Sequence, residues 1–244
     1  MQEQPICLQV KNLVKSYGGR KVVNGLSFDV KKGEIVGLLG PNGAGKTTAF
    51  YMTVGLISPD SGEVIFENRD VTRLPMHRRA RMGMGYLAQE PSVFRSLTVE
   101  QNILTVLEIL PLQKTEKIKI LQELMRELRI EHLAKKRAAS LSGGERRRLE
   151  IARALATSPQ CLMLDEPFAN IDPISVHEVQ EILRYLAKKG ISILITDHNA
   201  REIFTIVDRS FLVRDGQVML SGSVNDLLSS EEARKSYFGT QFTI

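Results

Sequence analysis

Three short strings in this 244-residue chain carry residue types at spacings that do chemistry. The first is Gly40-Pro41-Asn42-Gly43-Ala44-Gly45-Lys46-Thr47, followed by Thr48. Its spacing is that of a phosphate-binding loop. The glycines let successive backbone N–H groups turn inward around a β-phosphate, and a helix starting at Lys46 adds the positive end of its dipole. Lys46 is suited to neutralise the β- and γ-phosphates, and the Thr47 hydroxyl to ligate Mg²⁺. The bland alternative is a glycine-rich turn that binds nothing.

The second string, Leu162-Met163-Leu164-Asp165-Glu166-Pro167, ends an apolar run on two carboxylates. Asp165 is the expected Mg²⁺ partner, directly or through water, and Glu166 the general base that polarises the attacking water. Acidic pairs at strand ends are common, so this pair gains its meaning from the phosphate loop. Together they point to hydrolysis of a nucleoside triphosphate. The third string, Leu141-Ser142-Gly143-Gly144-Glu145, sets a hydroxyl and bare N–H groups before the helical run 146–156. It is a second helix N-terminus and a second anion site; taken alone it reads as a capping turn.

These strings need a scaffold that presents them at one edge. Ile35-Val36-Gly37-Leu38-Leu39 is apolar throughout, as a strand buried on both faces is, and it stops where the phosphate loop begins. A helix over 46–54 follows. Runs 161–164, 192–195 and 211–213 read as further strands, and Val176, Val179, Ile182, Leu183 and Leu186 mark one helix face closed by Gly190. Strands alternating with helices predict an α/β fold with a mostly parallel sheet covered on both faces, which binds ligands at the carboxyl ends of its strands. Earlier runs at 6–10, 22–23, 26–30 and 62–66 read as strands of the amino-terminal part, and 217–220 as an edge hairpin. From about residue 99 to 157 no strand pattern is present, and Ile118, Leu121, Leu124, Met125 and Leu128 recur at helical spacing. This stretch reads as an inserted helical lobe, bounded at about 91–157. The tail, 223–244, is polar and helical in pattern and includes Tyr237-Phe238-Gly239.

Apolar residues make up 43% of the chain, enough for a sizeable core, and exclude a disordered body. The formal net charge of +5 fits a mildly basic protein. The runs His77-Arg78-Arg79-Ala80-Arg81 and Lys135-Lys136-Arg137 read as solvated helix faces rather than sites for nucleic acid or lipid headgroups, so no nucleic-acid partner is expected. Cys7 and Cys161 are far apart, and Cys161 opens an apolar run; reduced thiols and a cytoplasmic setting are expected. Met1-Gln2-Glu3-Gln4-Pro5 is too polar for a signal peptide. No apolar run approaches the ~20 residues of a spanning helix, so any membrane crossing is expected from another chain.

With the phosphate loop, Gln89, the Ser-Gly-Gly string, the acidic pair and His198 in this order, the chain resembles the ABC-type ATPases over residues 6–225. The resemblance implies one ABC ATPase domain: a RecA-like core, an antiparallel β subdomain and an inserted helical subdomain carrying the Ser-Gly-Gly signature. It implies a homodimer packed head to tail around two ATP molecules, with Ser142, Gly143 and Gly144 of one copy completing the site at the other copy's phosphate loop. Tyr17 would stack on adenine, or is an exposed strand-end aromatic. Gln89 would sense Mg²⁺ and the attacking water, or is a solvated strand end. His198, which alone reads as a structural histidine, would hydrogen-bond the γ-phosphate. Asp172 belongs to a loop that reaches across the dimer, where Ala169-Asn170-Ile171-Asp172 departs from the commoner Ser-Ala-Leu-Asp and leaves the contacts of Asn170 open.

Three further strings resemble the lipopolysaccharide-export branch of the family: Gln89-Glu90-Pro91-Ser92-Val93-Phe94-Arg95-Ser96-Leu97-Thr98-Val99, Asp172-Pro173-Ile174-Ser175-Val176 and Thr196-Asp197-His198-Asn199. The sibling branch of branched-chain amino-acid importers typically reads Glu-His-Asp around the switch histidine. The resemblance implies separate transmembrane subunits and a place on the cytoplasmic face of the inner membrane. Phe94 and Arg95 are either the groove for the membrane partner's coupling helix, or a core Phe and a solvated Arg. DNA-repair members carry a long coiled coil between loop and signature, and ribosome-acting members usually two ATPase units. Neither feature is present here, and the signature argues against a simple P-loop kinase or GTPase.

Overall fold

The computed structural model describes residues 4–238. The first three residues of the expected polar start, and Gly239 with the rest of the expected tail, lie outside the described residues. In chain order the elements are β1 (Ile6–Tyr17), β2 (Arg20–Lys31), β3 (Ile35–Leu39), α1 (Lys46–Val54), β4 (Ser61–Phe66), β5 (Arg69–Asp70), α2 (Met76–Arg81), β6 (Met84–Leu87), α3 (Val99–Leu107), α4 (Lys114–Glu127), α5 (Gly143–Leu155), β7 (Cys161–Asp165), α6 (Pro173–Lys188), β8 (Ser192–Thr196), α7 (Ala200–Phe204), β9 (Arg209–Arg214), β10 (Gln217–Gly222) and α8 (Val224–Ser229). They form two sheets. The smaller is antiparallel, in the order β2-β1-β4-β5. The larger runs β10-β9-β3-β8-β7-β6 and is parallel except for the β9–β10 hairpin.

Every residue of β3, β7 and β8 is buried, which is what their unbroken apolar runs require. Alternate side chains feed two cores. Val36 and Leu38, Cys161 and Met163, and Leu194 pack with α1 and the antiparallel sheet. Ile35 and Leu39, Leu162 and Leu164, and Ile193 and Ile195 pack toward α6 and the helices between β6 and β7. The phosphate-loop helix is thus clamped between both sheets, and the expected buried face of α6 is buried throughout. Cys7 and Cys161 are free, buried thiols.

Three expectations change. The runs at 22–23 and 26–30 are one long strand, β2, paired with a longer β1 through several register shifts. The bulges explain why its alternation looked broken. Ile118 is 38% exposed, whereas its neighbour Lys117 is buried, its ammonium 2.7 Å from the Glu108 carboxylate. The apolar face of α4 therefore runs through Leu121, Leu124 and Met125 without Ile118. Arg79, expected on a solvated face, is only 1% exposed. Its guanidinium donates to the carbonyls of Leu74 (2.8 Å), Thr72 (2.9 Å), Met52 (2.8 Å) and Thr53 (2.6 Å). The last two belong to the final turn of α1, whose carbonyls have no partner within the helix. Burial lowers the Arg79 pKa to about 10. Lys135 and Lys136 are exposed as expected, though in a turn between two short 3-10 helices and not on a helix face, and pair with Glu100 and Glu145. Among the described residues no helix is long and apolar enough to cross a membrane.

Candidate functional site

The site is built at the carboxyl ends of β3, β6, β7 and β8. Two glycines shape the loop after β3. Gly40 has φ 149°, and a Cβ there would lie 2.1 Å from the Val213 carbonyl oxygen; Gly45 has φ 98°, and its Cβ would lie 2.5 Å from that of Val22. Both positions combine a left-handed backbone with a neighbour too close for any side chain. The loop is pinned by hydrogen bonds from Ala44 N–H to Pro41 O and from Gly216 N–H to Ala44 O. Gly45 caps α1 without a side chain. Pro41, Asn42, Gly43 and Thr47 are exposed and Thr48 is half-buried.

Lys46 is 8% exposed and folds over its own loop, donating to Gly40 O at 2.6 Å and Pro41 O at 2.9 Å. Burial lowers its pKa, while the carboxylates of Glu166, Asp197 and Asp165 pull the other way. Its ammonium is therefore a buried cation facing acids and held by neutral carbonyls, which an anionic oxygen would satisfy better.

Asp165 is 2% exposed at the end of β7. Its Oδ1 accepts the Thr196 hydroxyl at 2.6 Å from the paired position on β8, and its Oδ2 is buried without a hydrogen-bond partner. Burial raises its pKa against the pull of the Thr196 and Tyr51 hydroxyls. A buried carboxylate oxygen without a partner, near the Lys46 ammonium, fits a divalent cation that takes its remaining ligands from phosphate and water. Among the described residues no group of three or more His, Cys, Asp or Glu forms a self-sufficient metal cage.

Glu166, Gln89 and His198 meet. Gln89 Nε2 donates to Glu166 Oε2 at 2.9 Å, and His198 Nδ1 lies 3.3 Å from the same oxygen. Glu166 has φ 44°, a left-handed conformation uncommon for a residue with a side chain. The parallel register of β6, β7 and β8 puts these three groups at adjoining strand ends, although Gln89 and Glu166 are 77 residues apart.

Ser142, Gly143 and Gly144 face another segment. A Cβ on Gly143 would lie 3.0 Å from Asn170 O, and one on Gly144 would lie 2.1 Å from Ser175 Oγ. Both glycines therefore let α5 pack against residues 170–175. Ser142 caps α5: its Oγ accepts the Glu145 N–H at 3.2 Å, and the Glu145 carboxylate accepts the Ser142 N–H at 2.8 Å. Asp172 caps α6 through the Ser175 N–H at 3.0 Å. Tyr17 ends β1, 49% exposed. Phe94 is 50% exposed under the Arg153 guanidinium, 4.9 Å from the ring centroid, which removes the core-Phe reading. Arg95 is exposed.

Sequence reasoning missed Arg147. It is 4% exposed and donates to the carbonyls of Pro167 (2.8 Å), Glu166 (2.9 Å) and Ala88 (3.1 Å), with Glu150 at 3.0 Å. It thereby ties α5 to the backbone on both sides of the Gln89–Glu166 contact. Within Arg146-Arg147-Arg148 nothing marks it out except its place on the apolar face of α5. Thr196, which holds Asp165, was likewise passed over; its signal was its position opposite Asp165 in a parallel pair.

The ABC transporter family model matches residues 23–169. The lipopolysaccharide export system ATP-binding protein LptB of Acidithiobacillus ferridurans is 54% identical over 237 residues, 97% of this chain and 98% of that protein. The LptB protein of Haemophilus influenzae is 48% identical over 97% of this chain and 99% of its own length. Among solved structures, the ADP conformation of MJ1267, an ATP-binding cassette of an ABC transporter, superposes with a TM-score of 0.86 at 29% identity, over 96% of this chain and 99% of that one. The dimeric bacterial cassette MJ0796 shares the fold, with a TM-score of 0.78 at 24% identity, over 89% of this chain and 98% of that one.

Proposed function

The chain belongs to the ABC transporter family and is an ATP-hydrolysing enzyme, and from that premise we propose that it powers the export of lipopolysaccharide from the inner membrane. The observation that carries the cargo is the near-full-length likeness to LptB proteins of two organisms. ABC ATPase cassettes form dimers and work with transmembrane subunits. Here the subunits would be separate chains, with this protein peripheral on their cytoplasmic side.

In the proposed reaction the loop 40–45, through its backbone N–H groups (Pro41 has none), with Lys46, Thr47 and Thr48, holds the ATP phosphates, and Tyr17 stacks on adenine. Thr47, Asp165 and Gln89 would hold Mg²⁺, which neutralises charge on the β- and γ-oxygens when bound. Glu166 takes a proton from the attacking water as general base, and Gln89 and His198 position the reacting groups. The meeting of Gln89 and His198 on one oxygen of Glu166, beside the loop of Lys46, supports these roles.

Each site would be finished by the other copy in a head-to-tail dimer, through Ser142, Gly143, Gly144 and Asp172. The Ser142 Oγ accepts within its own cap, so its hydroxyl hydrogen stays free to donate to a γ-phosphate oxygen. The exposed Phe94 and Arg95 would receive a helix of the membrane subunit. We read the whole chain, 1–244, as one ABC ATPase domain, with a helical subdomain at about 91–157 and a tail at about 223–244 that is helical in its described part, to Phe238. Affinity purification of the tagged chain from detergent-solubilised membranes tests the proposal. Polytopic membrane proteins whose lipopolysaccharide release depends on ATP should copurify. Copurification with ribosomes, DNA or an amino-acid importer would sink it.

A further inference from the structure

His198 lies between two carboxylates. Its Nδ1 is 3.3 Å from Glu166 Oε2 and 3.6 Å from Asp197 Oδ1. The two acids differ in freedom. Glu166 is 24% exposed on its side chain and shares its Oε2 with Gln89. Asp197 is 2% exposed, directly after β8. Its Oδ1 accepts the Asn199 N–H at 2.8 Å, and its Oδ2 is buried without a hydrogen-bond partner. Lys46 is the cation whose charge reaches all three acids, Glu166, Asp197 and Asp165. On the other side, the Tyr237 hydroxyl is 3.2 Å from the His198 carbonyl oxygen and fixes that backbone.

Burying a carboxylate with one oxygen unmatched is unfavourable. The turn at Asn199 does not require it, because an asparagine Oδ1 accepts the same N–H. Lys46 and Arg147 feel that charge without closing an ion pair to it, and the ring nitrogen that Asp197 meets is His198 Nδ1, at 3.6 Å. In the proposed reaction Glu166 has to turn toward the attacking water and so loosens from the imidazole. The acid that stays at Nδ1 is the rigid one, Asp197.

We propose that Asp197 is a positioning residue for His198, holding the proton on Nδ1 and the plane of the ring while Nε2 engages the γ-phosphate. With an anion at each nitrogen, both N–H groups donate. A carboxylate behind a working imidazole fixes its tautomer and orientation in this way. The inference rests on the reading of His198 given above.

The test uses the full-length protein with MgATP. Asp197→Asn keeps the acceptor for Asn199 N–H and removes the charge. Turnover should fall about 10- to 100-fold, with KM for ATP unchanged and the melting temperature no lower. In a His198→Ala background the same change should cost nothing more, because two groups acting through one another are not additive. If His198→Ala itself turns over normally, the reading of His198 fails. If His198→Ala is slow but Asp197→Asn is normal, or its loss recurs in full without His198, the Asp197 inference alone fails. Should Asp197→Asn not fold, ¹⁵N spectra of Glu166→Ala with MgATP decide: a protonated His198 Nδ1 supports Asp197, and an unprotonated one overturns it.

Discussion

Two helix N-termini in this molecule invite comparison. Helix α1 starts on Gly45 with no side-chain cap, and helix α5 starts on Ser142 with a closed capping box to Glu145. Both are places where backbone N–H groups favour an anion. The first keeps its N–H groups for a ligand and has a buried lysine folded over it. The second has spent the N–H groups of Ser142 and Glu145 on its own side chains. An open terminus makes a binding site within one chain. A capped one offers what the cap leaves over, a hydroxyl hydrogen and the N–H groups of Gly143 and Gly144, and fits a contact made in trans.

The largest expected effect leaves both termini intact. Glu166→Gln should slow hydrolysis by about 10²- to 10⁴-fold while ATP still binds, and a closed dimer should accumulate in size-exclusion chromatography. Near-normal turnover would remove Glu166 from the base role. Next comes the anchor of α1. Arg79→Ala leaves carbonyls of Met52, Thr53, Leu74 and Thr72 without their donor, and should destabilise the fold by about 3–5 kcal/mol in urea titration. A loss under about 1 kcal/mol would mean that water replaces the guanidinium easily.

The comparison itself breaks on the third pair. Lys46→Ala should weaken ATP binding to the isolated chain by about 3 kcal/mol, roughly 100-fold. Ser142→Ala should leave that affinity unchanged in calorimetry, yet slow turnover of the dimer. If Ser142→Ala weakens ATP binding by a dilute monomer, the two termini serve the same site in one chain and the contrast is wrong. The cap itself sharpens the contrast at smaller scale: Ser142→Ala should also reduce stability by about 1 kcal/mol, whereas Gly45 has no such side chain to lose. Smallest within this chain, Phe94→Ala should spare both ATP affinity and melting temperature, since the ring is half exposed, but reduce the yield of membrane complex in copurification.

Legibility followed the range of the interaction. The phosphate loop was readable because its chemistry depends on backbone turns fixed by residues a few positions apart. The strands β3, β7 and β8 were readable because double-sided burial leaves an unbroken apolar run. Arg79 and Arg147 were not readable. Each stands in a basic run, and what buries it is a set of carbonyls elsewhere in the chain, 27 residues away for Met52 and 59 for Ala88. Lys117 and Ile118 were exchanged for a similar reason: the partner of the buried lysine, Glu108, lies nine residues back on the neighbouring turn of the lobe.

The order of motifs, the parallel-sheet class and the ATP-hydrolysing family were thus determined by the sequence alone, through local backbone geometry and strand periodicity. Only the tertiary structure decided which groups meet. Gln89, Glu166 and His198 converge because three parallel strands place their carboxyl ends side by side. Asp197 reads in the sequence as one more acid beside a histidine. Burial at the same sheet edge fixed it in place with an unmatched oxygen and raises its pKa. Burial and strand register arise from the whole packed chain, so no short stretch of sequence carries them.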